Sequence, residues 1–260
     1  MKYGFIGAGN MGRAIIDGIL KSKIATPSDI TAADANKKSL ENLNAADNAA
    51  VAKQSDLLFL CVKPQVLYSV IAEIKDCVTE NTVVVSIVAG QSIKAIENAF
   101  GKKIKLVRVM PNTPALVGEG MAALSPNANV TDTDLKSVLD VFSSLGKAEV
   151  VSENLMDAVT AVSGSSPAYV FMFIEAMADA AVQGGMPRNQ AYTFAAQAVL
   201  GSAKMVLETG KHPAVLKDMV CSPAGTTIDA VAELEKYGFR SAVIEAMKSC
   251  IDKSKELGRK

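Results

Sequence analysis

The sequence predicts an α/β protein in two parts: a doubly wound, mostly parallel sheet in the first half and an all-helical second half. Three observations predict it. A short apolar run, Tyr3 to Ile6, leads straight into Gly7-x-Gly9-x-x-Gly12 and then into a helical pattern. Apolar runs of strand length alternate with short helical patterns as far as residue 151. From Ser152 onward no strand run occurs. Strands alternating with helices argue for a parallel sheet covered on both faces. The expected division is therefore 1–151 and 152–260.

The opening motif comes first because strand, glycines and helix are in register. Met11, Ala14, Ile15, Gly18 and Ile19 fall on one helix face. Gly7 permits the tight turn, Gly9 lets a pyrophosphate approach the backbone, and Gly12 lets helix and strand pack closely. The free N–H groups and the positive end of the new helix then face phosphates. This is the dinucleotide-binding signature of a Rossmann domain.

The chain then runs in order. Ile30 to Ala33 reads as the second strand, and Asp34 stands at its end, about 20 residues past the glycine loop, where such folds place a ribose-reading acid. Asn36 to Leu43 reads as a short helix. Leu57 to Val62 is a continuous apolar run, as expected of a strand buried on both faces. Lys63-Pro64 stops it, and Leu67, Val70, Ile71, Ile74 and Val78 stripe the next helix. Val83 to Val88 is another buried strand, ending at Ala89-Gly90. A helix over Ser92 to Phe100 stops at Gly101, and a strand over Ile104 to Met110 ends in Pro111-Asn112-Thr113-Pro114. Gly120 to Leu124 and Ala148 to Val151 are late strands around a helix over 132–144, capped by Thr131. In the second half, helices are expected at Glu153–Val162, Pro167–Gln183, Pro187–Glu208, Pro213–Val220, Thr226–Lys236 and Gly238–Glu256. Prolines sit at first-turn positions, and glycines mark the ends.

Composition excludes several classes. Lys and Arg number 27, Asp and Glu 27, so the net charge is zero. With no basic block and few aromatics, nucleic acid is not an expected partner. A single histidine, His212, excludes a histidine triad or a multi-histidine metal site. Cys61, Cys77, Cys221 and Cys250 are scattered and read as reduced thiols of a cytoplasmic protein. The N-terminus is already strand and turn, so no signal peptide is expected. The apolar stretch Pro167 to Val182 carries Glu175 and Asp179 and is short for a membrane span. It reads as a helix buried nearly all round. A domain of about 110 residues has difficulty hiding such a helix, so an obligate dimer through the helical half is expected, with an interface above roughly 2,000 Å².

Candidate site residues follow from position. Ligands of open α/β sheets sit beyond the carboxyl ends of the strands. Ala89-Gly90 leaves room for a nicotinamide ring against backbone, with Lys63 and Asn112 as the polar residues facing it. In the helical half, Val162 to Pro167 enters one helix. Val220 to Thr227 enters another, and the backbone N–H groups at its start could hold a small carboxylate. Glu175 and Asp179, one turn apart, are an alternative source of an acid, but read first as a polar seam against partner lysines or water.

Taken together, five stretches resemble the pyrroline-5-carboxylate reductase family: Phe5-Ile6-Gly7-Ala8-Gly9-Asn10-Met11-Gly12, Val62-Lys63-Pro64, Arg108-Val109-Met110-Pro111-Asn112-Thr113-Pro114, Ser163-Gly164-Ser165-Ser166-Pro167-Ala168-Tyr169 and Cys221-Ser222-Pro223-Ala224-Gly225-Thr226-Thr227. The resemblance covers essentially the whole chain, and its last two motifs are the specific ones. It implies reduction of the cyclic imine 1-pyrroline-5-carboxylate to L-proline by NADPH or NADH, and a helical domain that interlocks two chains, with decamers in some members. Carried over by position, Ile6, Gly7, Ala8, Gly9, Asn10 and Met11 would bind the pyrophosphate. Asn48, Val62, Lys63 and Pro64 would flank the adenosine and ribose, and Ala89 and Gly90 the nicotinamide. Ser222, Ala224, Gly225, Thr226 and Thr227 would hold the substrate, with Asn112 nearby. Thr227, on the ring nitrogen, and Lys63 are the candidate catalytic residues. One departure stands out: the family's loop often has glycine where Ala224 stands. Alanine resists φ > 0, so the loop is expected to use a backbone that alanine tolerates.

Cofactor choice stays open in the sequence. Asp34 suits a free 2′-hydroxyl and would oppose a 2′-phosphate by about 4 kcal/mol at 4 Å and an effective dielectric of 20, an upper guide at an exposed site. Asn36, Lys37 and Lys38 would attract that phosphate. Two rival readings share the layout. A β-hydroxyacid dehydrogenase or broader imine reductase is one, although 153–162 lacks the lysine that the hydroxyacid enzymes carry in the first helix of the helical domain. A non-enzymatic dinucleotide-binding dimer is the other.

Overall fold

The computed structural model describes residues 1–258. An eight-stranded sheet runs in the order β3-β2-β1-β4-β5-β6-β7-β8. Its strands are β1 (Tyr3–Ile6), β2 (Ile30–Ala33), β3 (Asn44–Ala45), β4 (Leu57–Leu60), β5 (Val83–Ser86), β6 (Lys105–Met110), β7 (Gly120–Pro126) and β8 (Gly146–Val150). The first-half helices are α1 (Asn10–Lys21), α2 (Asn48–Gln54), α3 (Leu67–Ile74), α4 (Ile93–Phe100) and α5 (Asp132–Ser143). The second half carries α6 (Met156–Val159), α7 (Ser166–Gln183), α8 (Arg188–Thr209), α9 (Pro213–Val220), α10 (Thr226–Lys236) and α11 (Phe239–Leu257).

The continuous apolar runs are explained by a sheet covered on both faces. Alternate residues of one strand enter different cores. Phe5, Phe59, Val83, Val85, Val107 and Val109 pack with α1 and α5. Ile6, Leu58, Leu60, Val84 and Leu106 pack on the other face with α2, α3 and α4. Phe5 stacks on Phe59 with ring centroids 4.6 Å apart. β1 pairs in parallel with both β2 and β4, so the chain reverses its direction of winding at β1. β7 pairs antiparallel with β6. The connection 111–119 is shorter than the dozen or so residues that a parallel crossover needs.

The chain divides into two compact units, Met1–Ser165 with the residues from Cys250 onward, and Ser166–Ser249. The expected line at 151/152 follows the last strand, whereas the packing boundary falls fourteen positions later, at 165/166. The last turns of α11 belong to the first unit. Ser254 Oγ donates to Asp157 Oδ1 at 2.6 Å, and Cys250 Sγ donates to Ser165 Oγ at 3.3 Å.

Three local expectations are corrected. Residues 36–43 are not an α-helix: only Lys37–Leu40 coils, as a 3₁₀ turn, and Asn42 adopts φ +63°. α2 is a helix beyond those expected, capped by Asp47, which accepts from Ala50 N. The helix expected over 153–162 is broken into a 3₁₀ turn at Glu153–Leu155, α6, and a π-turn at Thr160–Gly164. Thr160 Oγ1 donates to Met156 O and Ser163 Oγ to Val159 O, and such back-bonds loosen a regular α-ladder.

Candidate functional site

The glycine loop behaves as three different residues. Gly7 adopts φ +100°, and a Cβ there would lie 2.5 Å from Cys61 O. A Cβ on Gly12 would lie 2.2 Å from Gly7 O. Both are demanded by the fold. Gly9 is not, because a Cβ there would meet nothing within 4 Å. It is nevertheless the N-cap of α1 and offers no side-chain cap, so the first-turn N–H groups of Asn10, Met11 and Gly12 face outward unpaired by a cap. Ile6 and Ala8 are buried beneath, Asn10 is exposed and Met11 half-buried. A cavity of about 420 Å³ opens over Ala8, Gly9, Asn10, Arg13 and Lys38, with Glu41 also on its wall. An open cradle of N–H groups, a glycine with free space above it and adjacent cations fit a dinucleotide's phosphates.

Asp34 is placed beside this cradle in an unexpected way. One carboxylate oxygen accepts the Ala8 N–H at 2.7 Å, and the other accepts the Asn36 N–H at 2.7 Å. It braces the glycine loop against the end of β2. Arg13 reaches from α1 to Asp17 and to Glu41 O, both at 3.1 Å. Lys38, in the 3₁₀ turn, is exposed and lines the cavity.

At the end of β4, Val62 is half-buried, Lys63 is exposed and Pro64 opens a 3₁₀ turn. Asn48 is half-buried, and its Nδ2 donates to Glu73 Oε2 at 2.6 Å. Beyond β5, Ala89 is exposed, and Gly90 adopts φ +73° with room for a Cβ only at 3.3 Å from Leu257 Cβ. The smallness of Gly90 thus serves the packing of the last turn of α11. Next to it, Tyr68 Oη donates to Gln91 Oε1 at 2.5 Å. Nothing but its place beside Gly90 could have flagged Gln91 in the sequence.

Asn112 is also a brace. Its Oδ1 accepts Met121 N at 2.8 Å and its Nδ2 donates to Ser163 O at 3.0 Å. It therefore ties β7 and the π-turn to the end of β6. Arg108, 8% exposed, pairs with Glu153 at 2.9 Å, and Glu153 also accepts Ile93 N at 2.7 Å.

In the second unit, the segment Ser222 to Thr227 forms a turn and a helix start. Gly225 N donates to Ser222 O at 3.1 Å, Pro223 leads, and Ala224 adopts φ +55°. The expectation that Ala224 keeps a backbone comfortable for alanine is overturned. Of the turns closed from residue i+3 onto i with proline second, the type II form requires a left-handed third residue, and Ala224 fills that position. Gly225 then N-caps α10 without a side-chain cap, leaving its first-turn N–H groups open. A Cβ on Gly225 would meet Ser222 Oγ at 2.3 Å. Thr226 is exposed and Thr227 half-buried. Asp179 pairs at 2.5 Å with Arg188 of its own chain, a different partner from the lysines or water expected of the seam.

Comparison with known proteins covers the whole chain. Residues 153–257 match the family description "Pyrroline-5-carboxylate reductase dimerisation", and residues 2–90 match "NADP oxidoreductase coenzyme F420-dependent". The pyrroline-5-carboxylate reductase of Escherichia coli (strain K12) is 54% identical over 265 residues, covering 99% of this chain and 98% of that one. That of Methanosarcina acetivorans is 49% identical over 266 residues, covering 100% and 98%. The crystal structure of Plasmodium falciparum pyrroline carboxylate reductase with NADP bound superimposes with a TM-score of 0.93 at 37% identity, covering 99% and 98%.

Proposed function

The chain belongs to the pyrroline-5-carboxylate reductase family, and from that premise we infer how its own residues carry out the reduction of 1-pyrroline-5-carboxylate to L-proline with NAD(P)H. The observation that carries the reading is the pair of uncapped helix starts. Each of α1 and α10 begins at a glycine N-cap with no side-chain partner. The first suits a pyrophosphate and the second a small carboxylate.

The N–H groups of Asn10 and Met11 hold the phosphates, while Gly7 and Gly12 keep the loop tight against the sheet. Lys63 adds positive charge at the carboxyl edge of β4. Ser222, Gly225 and Thr226 hold the substrate carboxylate, and the Thr227 hydroxyl orients the ring nitrogen. When bound, the reduced dinucleotide supplies the hydride that the imine carbon accepts. A protonated imine is already electrophilic, so positioning does much of the work, and alignment alone can account for roughly 7–11 kcal/mol. We read Lys38 as the residue that favours a 2′-phosphate, because it is exposed and lines the cavity, while Asp34 is held in place by two backbone N–H groups. NADPH is then the expected donor.

α7 buries only Ala178 within its own chain, and Phe171 and Met172 stand 62% and 69% exposed. A second copy of the chain is the natural cover, which makes the protein a homo-oligomer whose smallest unit is a dimer. A decamer would be five such dimers. Among the described residues no helix is long and apolar enough to cross a membrane. Four free cysteines suit the reducing cytoplasm.

The test is loss of NADPH absorbance with 1-pyrroline-5-carboxylate, set against gain of NADPH absorbance when NADP⁺ is offered a panel of 3-hydroxyacids. Turnover of the imine alone supports the reading, and turnover of the hydroxyacids alone sinks it. Thr227→Val should lower kcat/KM for the imine at least tenfold; unchanged kcat and KM would remove Thr227 from the site.

A further inference from the structure

The loop after β5 is held from two sides. On one side Gly90 packs against Leu257, in the last turn of α11. On the other, Tyr68 at the start of α3 donates its hydroxyl to Gln91 Oε1. Tyr68 follows the loop leaving β4, and Gln91 sits in the loop leaving β5, so the bond ties together two neighbouring strand ends at the carboxyl edge of the sheet. The carbonyl of the Gln91 amide is thereby committed. Its Nε2, with two donors, has no partner among the described residues.

The sheet topology says what lies there. Winding reverses at β1, so a dinucleotide crosses the sheet edge at the β1 loop. The phosphate cradle and Lys38 lie on the β2 side, which leaves the β4 and β5 ends to the nicotinamide half. That half carries ribose hydroxyls and a carboxamide oxygen, all acceptors. A half-exposed glutamine held by a tyrosine is an ordered donor in the right place.

We propose that Gln91 is a cofactor-positioning contact: its amide donates to the nicotinamide-ribose half of the bound dinucleotide, and Tyr68 acts through Gln91 by holding that amide in register. The assignment rests on the dinucleotide reading of the glycine loop. Wild-type turnover tests that reading, whereas the affinities below test Gln91 itself.

The experiment measures dissociation constants by calorimetry for NADP⁺ and for 2′,5′-ADP, which lacks the nicotinamide half. Gln91→Met keeps the volume and removes the donor. It should weaken NADP⁺ about fivefold, the range of one ordinary hydrogen bond, and 2′,5′-ADP by less than about twofold. Gln91→Ala, which cannot overpack, carries the same expectation. Tyr68→Phe should weaken NADP⁺ by about threefold alone and add nothing in the Gln91→Met background, as expected of residues acting as one unit. Equal losses for the two ligands would make the pair a scaffold only. No loss for either would remove Gln91 from the cofactor altogether.

Discussion

The carboxylate of Asp34 holds the Ala8 N–H at 2.7 Å, and so links the end of β2 to the middle of the glycine loop. A ribose reader at this position would discriminate between cofactors, whereas a brace supports both. Asp34→Ser is therefore expected to lower kcat/KM for NADPH and for NADH alike, by roughly fivefold. That corresponds to about 1 kcal/mol, a charge-assisted bond discounted for partial exposure. It should also lower Tm. A loss confined to NADH would restore the ribose-reading role. Lys38→Ala should cut the NADPH-to-NADH preference and leave Tm unchanged.

Gly9 and Gly12 give opposite signatures. Gly12→Ala puts a methyl 2.2 Å from a backbone oxygen, and overpacking of this kind costs about 1–3 kcal/mol. Gly12→Ala should therefore melt early. Gly9→Ala has free space around its methyl and a φ of −71°, so the fold should be untouched. That methyl stands where phosphate oxygens would approach. NADP⁺ affinity should fall at least tenfold with Tm unchanged. Undiminished affinity in Gly9→Ala would place the pyrophosphate elsewhere.

Ala224 occupies a conformation that costs an L-residue roughly 1–2 kcal/mol. Glycine relieves that cost but loses about 0.5–1 kcal/mol of chain entropy. Ala224→Gly should thus stabilise the protein by roughly 0.5–1 kcal/mol, or about 1–3 °C in Tm for a chain of this size. Calorimetry checks it, and a lower Tm would mean that the alanine methyl makes contacts worth more than the strain.

Much of this was readable in the sequence, for local reasons. Strand β4 is apolar throughout because both its faces are covered, and Thr131 with Asp134 announces α5 by a capping box. What could not be read depends on partners distant in the chain. That Asp34 also accepts from Ala8 N, and that Asn112 accepts from Met121 N and donates to Ser163 O, is visible only once the chain is folded. The last turns of α11 continue its helical pattern without a break, yet they pack with the first unit through Asp157 and Gly90. The left-handed Ala224 is not legible from propensity alone, because the turn closed by Gly225 N on Ser222 O overrides it.

The capping box also sets a pH dependence. Burial pushes the Asp134 carboxyl upward, but hydrogen bonds from Thr131 and Lys105 outweigh it and hold the group below its usual value. A depressed carboxyl contributes stability that is present above the unfolded value, near 4, and is lost as pH falls through the folded one. Asp134→Asn should cost about 1 kcal/mol at pH 7 and progressively less below pH 4. Equal destabilisation at pH 7 and pH 3 would show that the bonds' geometry, and not the charge, is what matters.

The exposed face of α7 leads to the last expectation. Phe171 is 62% exposed in the chain alone. Covering such a ring is worth about 1.5–3 kcal/mol, and a two-fold dimer counts it twice. Phe171→Glu replaces that gain with the burial of a charge, so the dimer dissociation constant should rise at least a hundredfold, read by light scattering across a dilution series. Val117→Glu is the control: Val117 is 75% exposed, but it lies in the first unit, and its substitution should leave the mass unchanged. If Phe171→Glu stays associated at nanomolar concentration while Val117→Glu falls apart, the interface lies on the sheet domain and α7 must be covered some other way.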